Sequence, residues 1–258
     1  MFRIPAKLQA TVQAFKICMY RSKRAALLTL LFFLTEASST QATAETSATY
    51  VPAALNDSRY SLQNRIRFPK LDGNFRETVI CDVSLSRGGR FRSNYCYSNE
   101  DAKSLMFTRT IHDAAKGAKI TPAKIDDIGQ WAFYQYSVEF IQQGEERRFI
   151  VKSYQGYNKV LSPTEYSAPQ RILRKKWSSI PGCPLEMHVG LKVDVSADGS
   201  PSNLQFFSGE PNKVCARSIR KWNARQRYIP AMTGTKAVPA TYIEYLLGPI
   251  DWRASQIR

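Results

Sequence analysis

The sequence predicts an α+β protein made of two small modules, each an antiparallel sheet with a helix packed on one face. Three observations predict it. Apolar and polar residues alternate around Cys81 and again around Val193, the period of a strand with one buried face. Apolar residues recur at helical spacing from Phe107 to Ala118 and from Cys215 to Trp222. The punctuation also matches: Gly89 to Pro122 is 33 residues, Gly199 to Pro230 is 31, and both prolines precede alanine. Strand, glycine turn, strand, helix, Pro-Ala and strand in the same order twice predict a tandem duplication.

The chain opens with an export pattern. Arg21, Lys23 and Arg24 precede the apolar run from Ala25 to Leu34, and small residues lead to Ala42-Thr43-Ala44. Ten residues, interrupted only by Thr29, are too few to span a bilayer comfortably, so residues 1–44 are expected to be a signal peptide removed after Ala44. Retention of this segment as an inner-membrane anchor is the alternative. Met19 would open a signal of more ordinary length. Residues 1–44 hold six Lys or Arg and one acid, a net +5, which leaves +11 of the whole chain's +16 for residues 45–258. Outside the cytoplasm such an excess suits lipopolysaccharide, phospholipid headgroups, wall polymers or acidic proteins more readily than nucleic acid, and it also serves solubility.

The expected organisation follows the chain. Residues 45–60 are polar and unpatterned and read as a flexible leader; the first module covers 61–161. Val79, Cys81, Val83 and Leu85 form a strand, Gly88-Gly89 a two-residue hairpin loop, and Phe91 to Tyr97 the return. Asn99 caps the helix that follows, with Glu100 and Asp101 in its first turn. Aromatic-rich strands near Trp131–Ile141 and Arg147–Tyr154 are joined at Gln143-Gly144-Glu145. The aromatic run offers a sugar or peptide platform, although such a run more often has one face in the core. A linker is placed at 162–177, where Pro163, Pro169 and the basic run Arg171 to Lys176 interrupt the strand pattern, the alternative for that run being a short helix entering the second module.

The second module, 178–248, repeats these elements. Met187 to Val195 is a strand, Asp198-Gly199 the turn, and Leu204 with Phe206 the return. A helix follows with Pro211 in its first turn; then come Ile229-Pro230-Ala231, a Gly234 turn, a last strand from Ala240 to Leu247 and a basic tail, 249–258.

After Cys18 leaves with the signal, Cys81, Cys96, Cys183 and Cys215 remain, and an even count in an oxidising compartment predicts two disulfides. Cys81 and Cys96 flank Gly88-Gly89 symmetrically, so a two-residue loop sets them opposite each other, while a bulge after the turn would shift that register. A Cys183–Cys215 bond would staple the helix to the segment before the first strand. No C-x-x-C occurs and the two histidines, His112 and His188, lack ligand spacing, so neither metal nor cofactor is expected. No G-x-S-x-G, Walker or dinucleotide pattern appears, and the reading is of a non-enzyme.

The second half resembles the C-terminal domain of the energy transducer TonB. Leu191-Lys192-Val193-Asp194-Val195, Ser196-Ala197-Asp198-Gly199, the helix through Cys215 to Trp222, Arg227 to Ala231, Gly234 to Val238 and the closing strand carry the likeness. The first half is similar to the same pattern more loosely. The resemblance implies a small antiparallel sheet with a helix on one face, and a periplasmic module that binds a partner segment as an added strand. Members of the best-known kind link an inner-membrane motor to outer-membrane receptors. The long Pro-rich spacer of those transducers is missing here, so the expectation is the module, with a link to outer-membrane transport. The expected docking edge is the closing strand at Tyr242, Ile243, Glu244 and Tyr245, last in its module; the alternative is that this strand is core and that Pro249 with the basic tail blocks its edge. The competing expectation is a soluble binder of anionic envelope polymers.

Overall fold

The computed structural model describes residues 48–97, 102–154, 166–173, 180–184 and 187–247. Among the described residues strand far outnumbers helix, 48% against 14%. The chain is therefore mainly antiparallel β rather than α+β. Residues Ser47–Arg258 form one compact unit that contains both disulfides and the described core.

Residues 45–60, expected to be a flexible leader, are tied down over their described part. β1 (Tyr50–Val51) pairs antiparallel with β4 (Lys124–Ile125), Ala54 bridges to Thr121, and Ala53 is buried. The pattern was hidden because this strand is two residues long and its neighbour Gln170 supplies the pairing: the Gln170 amide donates to the Ala53 carbonyl and accepts from the Ala53 N–H, both at 2.8 Å. β1 belongs to a three-stranded sheet, β1-β4-β5, with β5 at Ile128–Gly129.

The main sheet of the first repeat has the order β3-β2-β6-β7. Its strands are β2 (Phe75–Leu85), β3 (Phe91–Tyr97), β6 (Ala132–Gln143) and β7 (Glu146–Ser153). Val79, Cys81, Val83 and Leu85 face helix α1 (Ala102–Ala115), whose Phe107, Ile111, Ala114 and Ala115 are buried against them. Asn99, Glu100 and Asp101 lie outside the described residues.

The second repeat has the order β11-β10-β15: β10 (His188–Val195), β11 (Pro201–Ser208) and β15 (Ala240–Leu247), with helix α2 (Lys213–Asn223). Asn212 is the N-cap of α2 and its side-chain oxygen accepts from the Cys215 N–H at 2.9 Å, so Pro211 precedes the cap instead of entering the first turn. The expected linker, 162–177, contains paired strands instead. β8 (Tyr166–Ser167) pairs with β13 (Ala231–Thr233), and β9 (Gln170–Arg171) pairs with β12 (Tyr228–Ile229). β14 (Lys236–Val238) completes the β14-β13-β8 sheet. The signal segment, Arg174 to Trp177 and the basic tail lie outside the described residues.

The two repeats match bond for bond at their hairpins. Gly89 and Gly199 each donate to the serine three residues earlier at 2.9 Å, and Ser86 and Ser196 each accept on Oγ from the residue after the glycine at 3.1 Å. Ile120 N–H donates to the Gly89 carbonyl at 3.0 Å and Tyr228 N–H to the Gly199 carbonyl at 3.1 Å. Both glycines have positive φ, 76° and 78°, and an added Cβ would lie 2.0 Å from the Ile120 carbonyl oxygen or 2.1 Å from that of Tyr228. Glycine is required twice, by conformation and by the close approach of the chain leaving the helix. The leading strands match too, with Tyr50 opposite Ile125 and Tyr166 opposite Thr233.

The Gly88-Gly89 loop differs in detail from the expectation. Ser86 and Arg90 close a three-residue loop, and a bulge at Ser84/Leu85 shifts the register back, so Cys81 still faces Cys96 directly.

Candidate functional site

Both cysteine pairs are bonded as expected. Cys81–Cys96 joins β2 to β3 with Cα atoms 4.0 Å apart, and Cys183–Cys215 ties α2 to the segment before β10 at 4.5 Å. At the repeat-equivalent place of Cys81–Cys96 the second repeat has Leu191 opposite Phe206, an ordinary apolar pair. The Cys81–Cys96 bond therefore occupies a position that an apolar pair fills in the second repeat.

The closing strand β15 lies at an edge of its sheet, paired with β10 through an unbroken register from Ala240 to Leu247. Its side chains are engaged within the molecule. Tyr242 and Glu244 point toward the core beside Val193 and Leu191; both are buried, and Tyr242 OH donates to Glu244 Oε2 at 3.0 Å. Glu244 accepts two hydrogen bonds from Arg171, at 2.5 and 2.7 Å, and both side chains are almost wholly enclosed. Burial disfavours the Arg171 charge, but the adjacent Glu244 outweighs it and the guanidinium's pKa is raised. Ile243 is half-buried. The exposed Tyr245 ring lies 5.9 Å from Tyr97 of the first repeat and 5.3 Å from Phe207, which lies over Gly190. Of the four residues expected to dock a partner, only Tyr245 presents substantial side-chain surface to solvent.

Sequence reading missed Arg171 by placing it in a basic linker. The available signal was Glu244 itself, since an acid at an inward position between Tyr242 and Leu246 needs a buried cation. Asp82 was also missed. It lies on the sheet face away from α1, where the second repeat covers it; its carboxylate accepts from Tyr97 OH at 2.5 Å and from Gln135 Nε2 at 2.9 Å. Burial raises its pKa to about 7, with the two hydrogen bonds and Arg171 opposing the rise and Glu244 adding to it. The Phe133 ring, on the same face, packs against the cluster of Val193, Val195, Tyr228 and Tyr242 in the second repeat and lies under the Arg171 guanidinium at 5.2 Å.

A cleft of about 390 Å³ opens between the repeats, lined among others by Leu55, Phe133, Tyr134, Tyr154, Gln170 and Tyr242. Among the described residues no Asp, Glu, His, Lys or Arg lines it. Among the described residues no group of three or more His, Cys, Asp and Glu converges to hold a metal. No described helix is long and apolar enough to cross a membrane.

The remaining sheet edges are unequal. β11 is bulged twice against β10, and β3 is bulged beside its turn. β7 pairs with β6 through eight consecutive positions without a bulge, from Gln143↔Glu146 to Tyr136↔Ser153. The two-residue Gly144-Glu145 turn makes Gln143 and Glu146 a mutually bonded pair, so alternate residues bond inward; Tyr154 N–H donating to the Gln135 carbonyl at 3.0 Å fits that phase. The N–H and C=O groups of Arg147, Phe149 and Val151 therefore point away from the sheet. Among the described residues no strand pairs with this side of β7, and a long, regular edge of this kind is a template for another strand.

No protein-family model, curated protein or solved structure matches the chain.

Proposed function

We propose that the chain is an exported envelope protein, working in the periplasm as a tandem TonB C-terminal-like interaction module that captures an extended segment of a protein partner along β7. The observation that carries this reading is the unbroken β6–β7 ladder, which leaves β7 as a regular eight-residue edge, while the expected edge, β15, has Tyr242 and Glu244 committed to the core. Two disulfides in a chain with an export pattern support an oxidising compartment. The duplicated hairpin, helix and closing strand support the likeness to the TonB module, and with it a role in outer-membrane transport.

The test uses a random peptide library displayed on phage and panned on the 47–258 unit. Arg147→Pro removes an outward N–H at an exposed position without removing a bond to β6, so selected peptides are expected to lose at least tenfold in affinity while the thermal transition is kept. Peptides that bind the proline variant as tightly as the parent protein would rule out strand addition at β7.

A further inference from the structure

Between residues 211 and 243 the sequence holds seven Lys or Arg and no Asp or Glu. Four of these, Lys213, Arg217, Arg220 and Lys221, fall on α2 at offsets of four, three and one, and all four are exposed. Helical spacing puts them on the side opposite the buried Cys215, Ile219 and Asn223. Among the described residues none of the four stands in an ion pair; Arg220 lies over the Phe206 ring at 5.0 Å. The flanking acids do not neutralise the face, since Glu210 precedes the helix and Glu244 is internal on Arg171.

The fold does not demand this charge. Buried Ile111 of α1 and buried Ile219 of α2 each stand nine residues before the residue that bonds the hairpin glycine, so the helices can be laid over each other. The positions matching Lys213, Arg217, Arg220 and Lys221 are then Leu105, Arg109, His112 and Asp113 in α1. One copy became basic on its outer face and the other did not. Like charges at these spacings destabilise a helix slightly, so the pattern runs against local stability.

We propose that the outer face of α2 docks on a membrane leaflet rich in anionic, phosphate-bearing lipid, with Lys213, Arg217, Arg220 and Lys221 engaging headgroup phosphates. A convex helix face about 12 Å long suits a flat array of anions better than a thread-like polyanion that needs a groove. Val214, 63% exposed and three residues from Arg217, places an apolar side chain on the same face, where it meets the headgroup boundary. The arginines supply the forked donors that match phosphate oxygens. This surface is separate from β7 and does not depend on strand capture.

The test is sedimentation of the 47–258 unit with vesicles of phosphatidylglycerol mixed into phosphatidylcholine, against pure phosphatidylcholine. The triple variant Lys213→Gln/Arg217→Gln/Lys221→Gln leaves Arg220 on its ring; Arg147→Gln/Arg148→Gln/Lys152→Gln removes the same charge from β7. At roughly fivefold per basic residue, the α2 variant is expected to lose about a hundredfold in partitioning, the β7 variant little, and raising salt from about 0.05 to about 0.3 M should weaken the parent protein steeply. Equal losses in both variants, each with an unchanged thermal transition, would reduce the effect to net charge and overturn the proposal. So would the absence of any preference for phosphatidylglycerol. Binding to inorganic polyphosphate that depends on α2, without binding to vesicles, would assign the face to a soluble polyanion and overturn membrane docking.

Discussion

Replacing Asp82 by asparagine should abolish a defined part of the protein's pH dependence. Asp82 is 6% exposed between the repeats, and its pKa is raised by burial from 3.8 to about 7. A carboxyl whose folded pKa exceeds its unfolded value contributes stability that is fully present below the unfolded pKa and is lost as pH rises to the folded one. Moving a pKa from 3.8 to about 7 corresponds to about 4 kcal/mol, an upper figure for one group in a responsive interior. Asparagine keeps the shape and can accept from Tyr97 OH, while a rotated Gln135 amide accepts its new donor. Urea unfolding of both proteins between pH 3.5 and 9, disulfides intact, isolates the effect as the difference between them. The parent's stability relative to Asp82→Asn should be level near the acid end, fall by about 1.4 kcal/mol per pH unit through the window between 3.8 and about 7, and level off above it. A difference that is constant across the range, or that grows in the parent's favour with pH, would refute the assignment of a buried, proton-holding carboxyl at this junction.

Three other outcomes follow from the packing. Arg171→Met should cost about 3 to 5 kcal/mol by leaving Glu244 buried without its partner, and Arg171→Met/Glu244→Leu should recover most of that loss in denaturant titrations; a double variant no more stable than the single one contradicts the pairing. Gly199→Ala should cost more than about 2 kcal/mol, because φ is 78° and the new Cβ meets the Tyr228 carbonyl oxygen, whereas the exposed Gly234→Ala has no such neighbour; equal costs would show the close approach to be unimportant. Removing the Cys183–Cys215 link, which closes a 32-residue separation, should lower stability by about 4 kcal/mol against about 3 for Cys81–Cys96, read from the unfolding midpoints of the two double-alanine variants.

Much of the fold was written in local patterns. The alternation through Val79 to Leu85 and Met187 to Val195 identified the central strands, and the glycines at 89 and 199 marked the hairpins. The Cys81–Cys96 pairing was legible although the loop was misjudged, since the bulge at Ser84/Leu85 offsets the extra loop residue. Features that depend on contact between the repeats were not legible. Two-residue strands such as β1 and β9 have no period to detect, and their partners lie more than fifty residues away. Asp82 alternates as a solvent-facing residue and becomes buried only because the second repeat covers that face. The expected docking strand illustrates both sides: its place at a sheet edge followed from chain order, but the inward pairing of Glu244 required Arg171, which sequence assigned to a linker. β7 could be recognised as a strand, but its place as an unbulged edge among the described strands exists only in the assembled sheet.

Amide hydrogen exchange on a complex with a library-selected peptide is the direct test of β7 as a template for an added strand. Strand addition predicts slowed exchange at Arg147, Phe149 and Val151, whose N–H groups face away from β6, with little change at Arg148 and Ile150, whose N–H groups are already bonded to β6. Protection confined to β15, to α2 or to the cleft between the repeats, with β7 unchanged, would contradict it.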